Sequence, residues 1–367
     1  MTTHTATAPR GFASSNNLLT LAAMGVLLIL LFVFERSFDT FTMQIFKLCA
    51  INVILALSLN LINGFTGLFS LGHAGFMAVG AYTCAILTMS PAQKSMNYVL
   101  QPIVPWLANI HLPFVPALLL AGVVAGLLGW LLGFIALRLR DDYLAIATLG
   151  FSEIIRVILT NLQSITNGAL GLKGLPRFTN MWWAWGAAVA CTVFMVLLIR
   201  STYGRSFKAI RDNEIAAEAM GINIFGMKVL SFSISSAMAG IAGALLAHHL
   251  TTIDPKQFIF LKTFDILLIV VLGGVGSITG SVIAAIVVTV SMEALRFLDG
   301  PLNLGLLTTS GTPGLRMVFF SVLLMVVIIF RQRGLMGTHE FSWDSLAKIG
   351  LLPKRKAPND SSEGTQS

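Results

Sequence analysis

Ten runs of 17 to 25 residues, nearly free of charge, divide the sequence: 18–34, 41–62, 65–89, 114–137, 143–165, 181–199, 229–250, 258–275, 280–298 and 314–330. A helix needs roughly 20 apolar residues to cross a hydrocarbon core about 30 Å thick. Lipid offers the backbone no hydrogen-bond partner, so runs of this length are read as helices. The spacing predicts an all-α polytopic membrane protein with about ten transmembrane or partly spanning helices. Composition agrees, at 56% hydrophobic, 11% charged and a mean hydropathy of +0.83. Ordinary soluble domains are about 25% charged. A soluble enzyme is therefore excluded, as are disordered and collagen-like classes.

Charge then orients the segments. With a cytoplasmic N-terminus, fourteen of the 24 Lys and Arg fall on the cytoplasmic side, mostly in the 200–228 loop and after Phe330. Basic stretches mark the cytoplasmic side, so an even number of crossings separates that loop from the tail. This parity splits 258–298 into two segments and places both ends inside. The net charge of +8 thus reads as a topology signal, not as a nucleic-acid patch. Residues 1–17 read as a cytoplasmic N-terminal segment, 18–336 as the membrane domain and 337–367 as a polar, disordered cytoplasmic tail. The first run ends in Phe34-Glu35-Arg36 instead of a small-residue cleavage site, so it reads as a retained anchor.

Little points to bond-making chemistry. Cys49, Cys84 and Cys191 sit in apolar runs without metal or redox spacing. Gly-x-Ser-x-Gly and His-Glu-x-x-His are absent, and Gly-Lys never occurs, so there is no phosphate-cradling loop. No catalytic residue, metal or cofactor is expected.

Small residues at four-residue spacing (Gly122/Gly126, Gly129/Gly133, Ala239/Gly243, Gly276/Gly280) read as close helix packing. Two Gly-rich stretches, Ser70–Gly80 and Gly273–Gly280 (Gly273, Gly274, Gly276, Gly280), read as helix interruptions that turn backbone dipoles toward a pathway. Polar residues inside a membrane usually face a cavity or each other. Glu153/Arg156 and Glu293/Arg296, three apart, read as self-neutralising pairs, and His73 alone as a packing residue. The stretch from Asn60 to Gly75, with Asn60, Asn63, Gly64, Gly67, Ser70, Gly72 and His73, is the expected lining of a translocation pathway.

Residues 200–228 form the one substantial cytoplasmic loop. Its centre, Gly204 to Gly221, has a helix-forming core with Gly221 where a helix would stop. Ala209, Ile210, Ala216, Ala217 and Met220 recur at helical steps as one small apolar face. Arg205, Lys208, Arg211, Asp212, Glu214 and Glu218 occupy much of the rest. Small apolar residues flanked by charge suit insertion into another protein's groove; a lipid-lying helix would carry bulkier apolar groups.

Asn60-Leu-Ile-Asn-Gly-Phe-Thr-Gly67, running into Ser70-Leu-Gly-His-Ala-Gly-Phe76 and Gly80-Ala-Tyr82, resembles the LivM-type permease subunit of branched-chain amino acid ABC importers. Further matching pieces follow in order: Arg138–Gly150, Gly204-Arg205 through Gly221-Ile222, Gly273-Gly-Val-Gly-Ser277, and Gly314-Leu-Arg316 with Phe330-Arg331. Residues 302–313 match nothing in that pattern. The resemblance implies the type II ABC importer permease fold and a bacterial inner-membrane location. It implies a LivH-like permease as heterodimeric partner, two cytoplasmic ATPase subunits, and a periplasmic or lipid-anchored substrate-binding protein. It also implies that Gly204, Arg205, Ala209, Arg211, Glu214, Ala217, Glu218 and Gly221 belong to the ATPase-coupling segment, although Glu218-Ala-Met-Gly221 only loosely matches the coupling motif of other importers. The implied cargo is Leu, Ile and Val, with urea or another small amide or aromatic acid as the alternative within the class. A proton-coupled secondary transporter is a further rival, but it would want an unpaired mid-membrane carboxylate and would not need the 204–221 helix.

Overall fold

Small residues and side-chain caps set the architecture of the computed structural model, which describes residues 39–139, 141–296, 302–303, 308–309, 318, 321–322, 325, 329 and 334–337. These all lie in one compact unit, residues 37–338. In chain order the helices are α1 (Thr40–Asn60), α2 (His73–Thr88), α3 (Pro91–Asn97), α4 (Pro105–Ala108), α5 (Phe114–Ala136), α6 (Asp141–Asn161), α7 (Gln163–Thr166), α8 (Met181–Arg200), α9 (Thr202–Asp212), α10 (Glu214–Ala219), α11 (Ile224–Leu250), α12 (Phe260–Gly273) and α13 (Ile278–Ala294). Two short antiparallel pairs, Leu172–Lys173 with Thr252–Ile253 and Leu302–Asn303 with Thr308–Thr309, are the only strands among the described residues.

Side-chain oxygens start many of these helices by accepting from orphan backbone N–H groups. Asn180 caps α8, Asn213 α10, Asn223 α11 and Ser277 α13, at 3.0–3.1 Å. Ser90 and Gln93 form a reciprocal capping box at α3.

Among the described residues, five helical stretches are long and apolar enough to cross a bilayer: Thr40–Thr66, Phe114–Ala136, Tyr143–Asn161, Met181–Arg200 and Ile224–Leu250. His73–Thr88 and Ile278–Ala294 are shorter apolar helices, and α12 has 14 residues. The expected segment 18–34 lies outside the described residues, as does most of 314–330. Residues 65–89 are not one segment. The chain is non-helical over 67–72, and α2 starts only at His73. The expected break at Ser70–Gly80 thus lies upstream, and Gly75 and Gly80 are helical packing residues.

α11 is the central post, wrapped by α1, α2 and α5. Its contacts explain the small residues. A Cβ on Gly80 would lie 2.1 Å from the Gly240 carbonyl oxygen, and one on Gly243 would lie 2.0 Å from that of Met77. Gly122, Gly126 and Gly129 of α5 sit against Ile241, Ala237 and Ser236 of α11. The opposite face of α5 exposes Leu119, Val123, Leu127, Trp130 and Leu131. Without a hydrophobic force between helices in lipid, such close backbone approach supplies the dispersion contacts. Gly276 is not part of this packing, because it lies in a loop and only Gly280 of that pair is helical. Gly243→Ala is expected to lower stability by about 1–3 kcal/mol through overpacking. Gly186→Ala, at a helical site with nothing within 4 Å, is expected to raise it by about 0.5–1 kcal/mol. Thermal unfolding of the purified protein in detergent checks both signs.

The end of the bundle carrying α3, α4 and the first strand pair holds a buried cation. Lys94 donates to the carbonyls of Leu107 at 2.8 Å and Ile110 at 2.6 Å. Burial holds its pKa below the ordinary lysine value. Nearby, the Tyr98 hydroxyl donates to the Ile165 carbonyl. The opposite end carries α9 and α10.

Candidate functional site: two helix breaks joined to the α9–α10 segment

The first break begins where α1 ends. Leu61–Thr66 form a π-helical turn, and Gly67 closes it with φ +79°, a conformation L side chains rarely adopt. Beyond it the freed backbone is met by side chains. Ser70 N–H donates to Asn63 Oδ1 at 3.2 Å, Leu71 N–H to Thr148 Oγ1 at 3.0 Å and Ala74 N–H to Thr263 Oγ1 at 3.0 Å. His73 Nε2 lies 2.6 Å from Ser58 Oγ and is buried. The second break separates α12 from α13 across Gly274–Ser277, with Gly276 at φ +85°. Residues 334–337 pack on it: Leu335 N–H donates to the Leu272 carbonyl at 2.7 Å.

Asn60 joins the two breaks. Its amide donates to the Ser277 carbonyl at 2.9 Å and to Ser281 Oγ at 2.8 Å, and its Oδ1 accepts from Gly276 N–H at 2.8 Å. The side chain is fully buried and fills space that Gly64 leaves: a Cβ there would lie 1.8 Å from Asn60 Oδ1 and 2.4 Å from Gly276 N. Such a network specifies one arrangement because its members satisfy each other away from water.

Arg211, near the end of α9, brings the third element. Its Nη1 donates to the Gly64 carbonyl at 3.2 Å, while Nε and Nη2 donate to Asp212 Oδ1 at 3.0 and 2.8 Å. Gly67 and Gly276 leave room for this side chain: a Cβ on Gly67 would meet Arg211 Cγ at 2.8 Å, and one on Gly276 would meet Nη1 at 3.1 Å. Lys208 Nζ stands 5.8 Å from the centre of the buried Phe65 ring. One guanidinium thus hydrogen-bonds the first break and lies beside the second, reaching them from the α9–α10 segment.

That segment is not the single helix expected over Gly204–Gly221. Asn213 ends α9 in extended backbone and caps α10, because its short carboxamide competes for the local N–H groups. The single apolar face splits with it. Ile210 and Ala217 are buried within the protein, whereas Met220 is 83% exposed, together with Ile215 at 81%. Gly204 packs on the Ile199 backbone, Ala209 is half-buried, and Arg205 and Glu218 are exposed. Glu214 is ion-paired with Lys228. Gly221, at φ +80°, terminates α10. Beside α10 lies a groove of about 800 Å³ lined by Arg138, Leu139, Glu214, Glu218, Phe225 and Lys228, among others.

Of the stretch expected to line a pathway, Asn60, Gly64, Ser70, Gly72 and His73 are buried, Asn63 is half-buried and Gly67 is exposed. Gly273 and Gly280 pack backbone to backbone, and Gly274 contacts Gly337. Both expected i, i+3 ion pairs form: Glu153–Arg156 at 2.7 Å and Glu293–Arg296 at 2.8 Å. No cluster of three metal-ligating side chains occurs among the described residues.

The family described as branched-chain amino acid transport system / permease component matches residues 41–328. The high-affinity branched-chain amino acid transport system permease protein LivM of Escherichia coli K12 is 35% identical over 289 residues, covering 70% of this chain and 64% of that protein. The probable LivM of Methanocaldococcus jannaschii is 26% identical, over 77% of this chain and 89% of the relative. The E. coli permease protein LivH is 25% identical, over 71% and 87%. The chain therefore spans about 64% of the length of the bacterial LivM proteins it matches. No solved structure matches. The chain is a multi-pass membrane protein, and it belongs to the permease-component family of branched-chain amino acid transport systems.

Proposed function

We propose that this chain is a permease subunit of an ABC importer, forming half of a pathway for branched-chain amino acids. In this reading it pairs with a LivH-like permease, two ATPase subunits and a substrate-binding protein in a bacterial inner membrane. Its ten segments have both ends cytoplasmic, in the type II importer arrangement. The domain boundaries are a short N-terminal segment to residue 17, the membrane domain to 336 and the polar tail to 367.

The single observation carrying the reading is the Arg211 bridge. A segment exposing Ile215 and Met220, as a docking helix would, is hydrogen-bonded by one guanidinium to the first interruption of the membrane helices and packed beside the second. ATP-driven closure of the ATPases would move α9–α10, and Arg211 would carry that displacement to Gly64 and the Gly276 loop. The interruptions are where a bundle can switch between two arrangements without unfolding helices. The permease names of the relatives support the transport class and the cargo.

The test is uptake. With its partner permease, ATPases and binding protein co-expressed, the chain should support ATP-dependent entry of labelled leucine that disappears on its deletion. Intact leucine uptake with lost urea uptake would replace the cargo. Uptake driven by a proton gradient without the ATPases would overturn the importer reading.

A further inference from the structure

We propose that a cavity between α1, α12 and α13 is a transit site for one zwitterionic amino acid, its carboxylate at Lys262 and its ammonium at Asp265. This rests on the importer reading and deepens it by naming a place in the chain that recognises the cargo's charges.

The cavity measures about 260 Å³ and its polar lining is Asn52, Lys262, Asp265, Thr289 and Glu293. With about 30 Å³ per water, it holds a small solute with some hydration. It falls just below the roughly 300–1,000 Å³ of pockets for drug-sized ligands. Leu48, Ile269, Val288 and Met292 supply apolar wall for an aliphatic side chain.

Ionisable groups in apolar segments are costly and usually face a partner or a pathway. Three i, i+3 ion pairs among the described residues behave differently. Glu153–Arg156 and Glu293–Arg296 close at 2.7 and 2.8 Å, the distance of charge-assisted hydrogen bonds. Lys262 and Asp265 stay 3.6 Å apart, with side chains 31% and 41% exposed. Each keeps capacity for a further partner of opposite charge, which a zwitterion supplies at both ends. Across the cavity, Asn52 Nδ2 donates to Thr289 Oγ1 at 2.8 Å, and Thr289 Oγ1 donates to the Ala285 carbonyl at 2.6 Å. That chain holds α1 against α13 and fixes the wall opposite the charges. Such a site binds weakly, because Lys262 and Asp265 screen each other when the solute leaves. Release is what a pathway requires.

The experiment uses the assembled importer in proteoliposomes with labelled leucine. Lys262→Met and Asp265→Asn should each cut uptake at least 10-fold, and Lys262→Arg and Asp265→Glu should restore it to within 3-fold. In protein whose Cys49, Cys84 and Cys191 are replaced by alanine, Met292→Cys should react with 2-aminoethyl methanethiosulfonate more slowly while leucine is being transported. Wild-type uptake by both neutralised variants, or labelling of Met292→Cys indifferent to leucine, overturns the site while leaving the importer reading intact. A wild-type assembly that takes up no leucine defeats the branched-chain cargo and the site with it, and uptake by a proton gradient without the ATPases defeats the importer reading itself.

Discussion

Asn60→Leu is expected to destabilise the protein by about 2–5 kcal/mol: three hydrogen bonds go, and the Gly276 N–H is left without its acceptor. Leucine has a similar volume, so the loss reports the polar clamp and not a cavity. Because Asn60 joins the end of α1 to the start of α13, the damage concentrates at the junction of the two breaks. Asn60→Asp keeps an acceptor for Gly276 but loses both donors and buries a carboxylate against the Ser277 carbonyl, so it should fall at least as far as leucine. Thermal unfolding in detergent, followed by proteolysis between Gly273 and Ser277, checks the order. An unchanged melting temperature for Asn60→Leu would mean that the two breaks are held together by something other than this side chain.

Arg211→Met is the second large effect, and its signature is functional. The variant keeps the length and most of the apolar stem while removing the donors to Gly64 and Asp212. Under the proposed importer mechanism, the ATPases still dock through the exposed part of α10 and still hydrolyse ATP. Leucine uptake should fall roughly 10- to 100-fold, the range of a coupling free energy of about 1–3 kcal/mol. Lysine at 211 supplies charge without the planar fork and should recover only part of the loss. Loss of ATPase binding in Arg211→Met, measured by co-purification, would assign the residue to docking instead. Uptake at the wild-type rate would remove it from the mechanism.

Apolar runs of span length need no tertiary information, because the bilayer imposes their length and composition; hence α5, α8 and α11 fall within a few residues of their expected bounds. Glu153–Arg156 and Glu293–Arg296 were legible for a similar reason, since spacing along one helix decides whether two side chains meet. Gly-rich stretches announced interruptions, but not their limits. Glycine serves both tight turns and close packing: Gly67 and Gly276 turn the chain, while Gly75, Gly80 and Gly280 remain helical against neighbours. Only the neighbour distinguishes the two uses.

Asn213 shows the opposite case. It has a visible local preference for capping, yet it sits inside a pattern of helix formers, and the composition of the loop pointed to one helix. Lys94 reads as an ordinary loop cation, and its burial against two carbonyls follows from the folding of residues 91–110 over it.

The sequence alone determined that the chain crosses a membrane as helices, roughly where they run, and that two of them are interrupted, because solvent and bilayer act on each segment independently. Tertiary structure decided that those interruptions meet. Asn60 reaches residues more than two hundred positions away, and Arg211 reaches Gly64 from another part of the chain. No periodicity encodes such contacts. They exist because α11 packs α2 and α5 at glycine distance with α1 beside them, so the broken ends find their hydrogen-bond partners in one another.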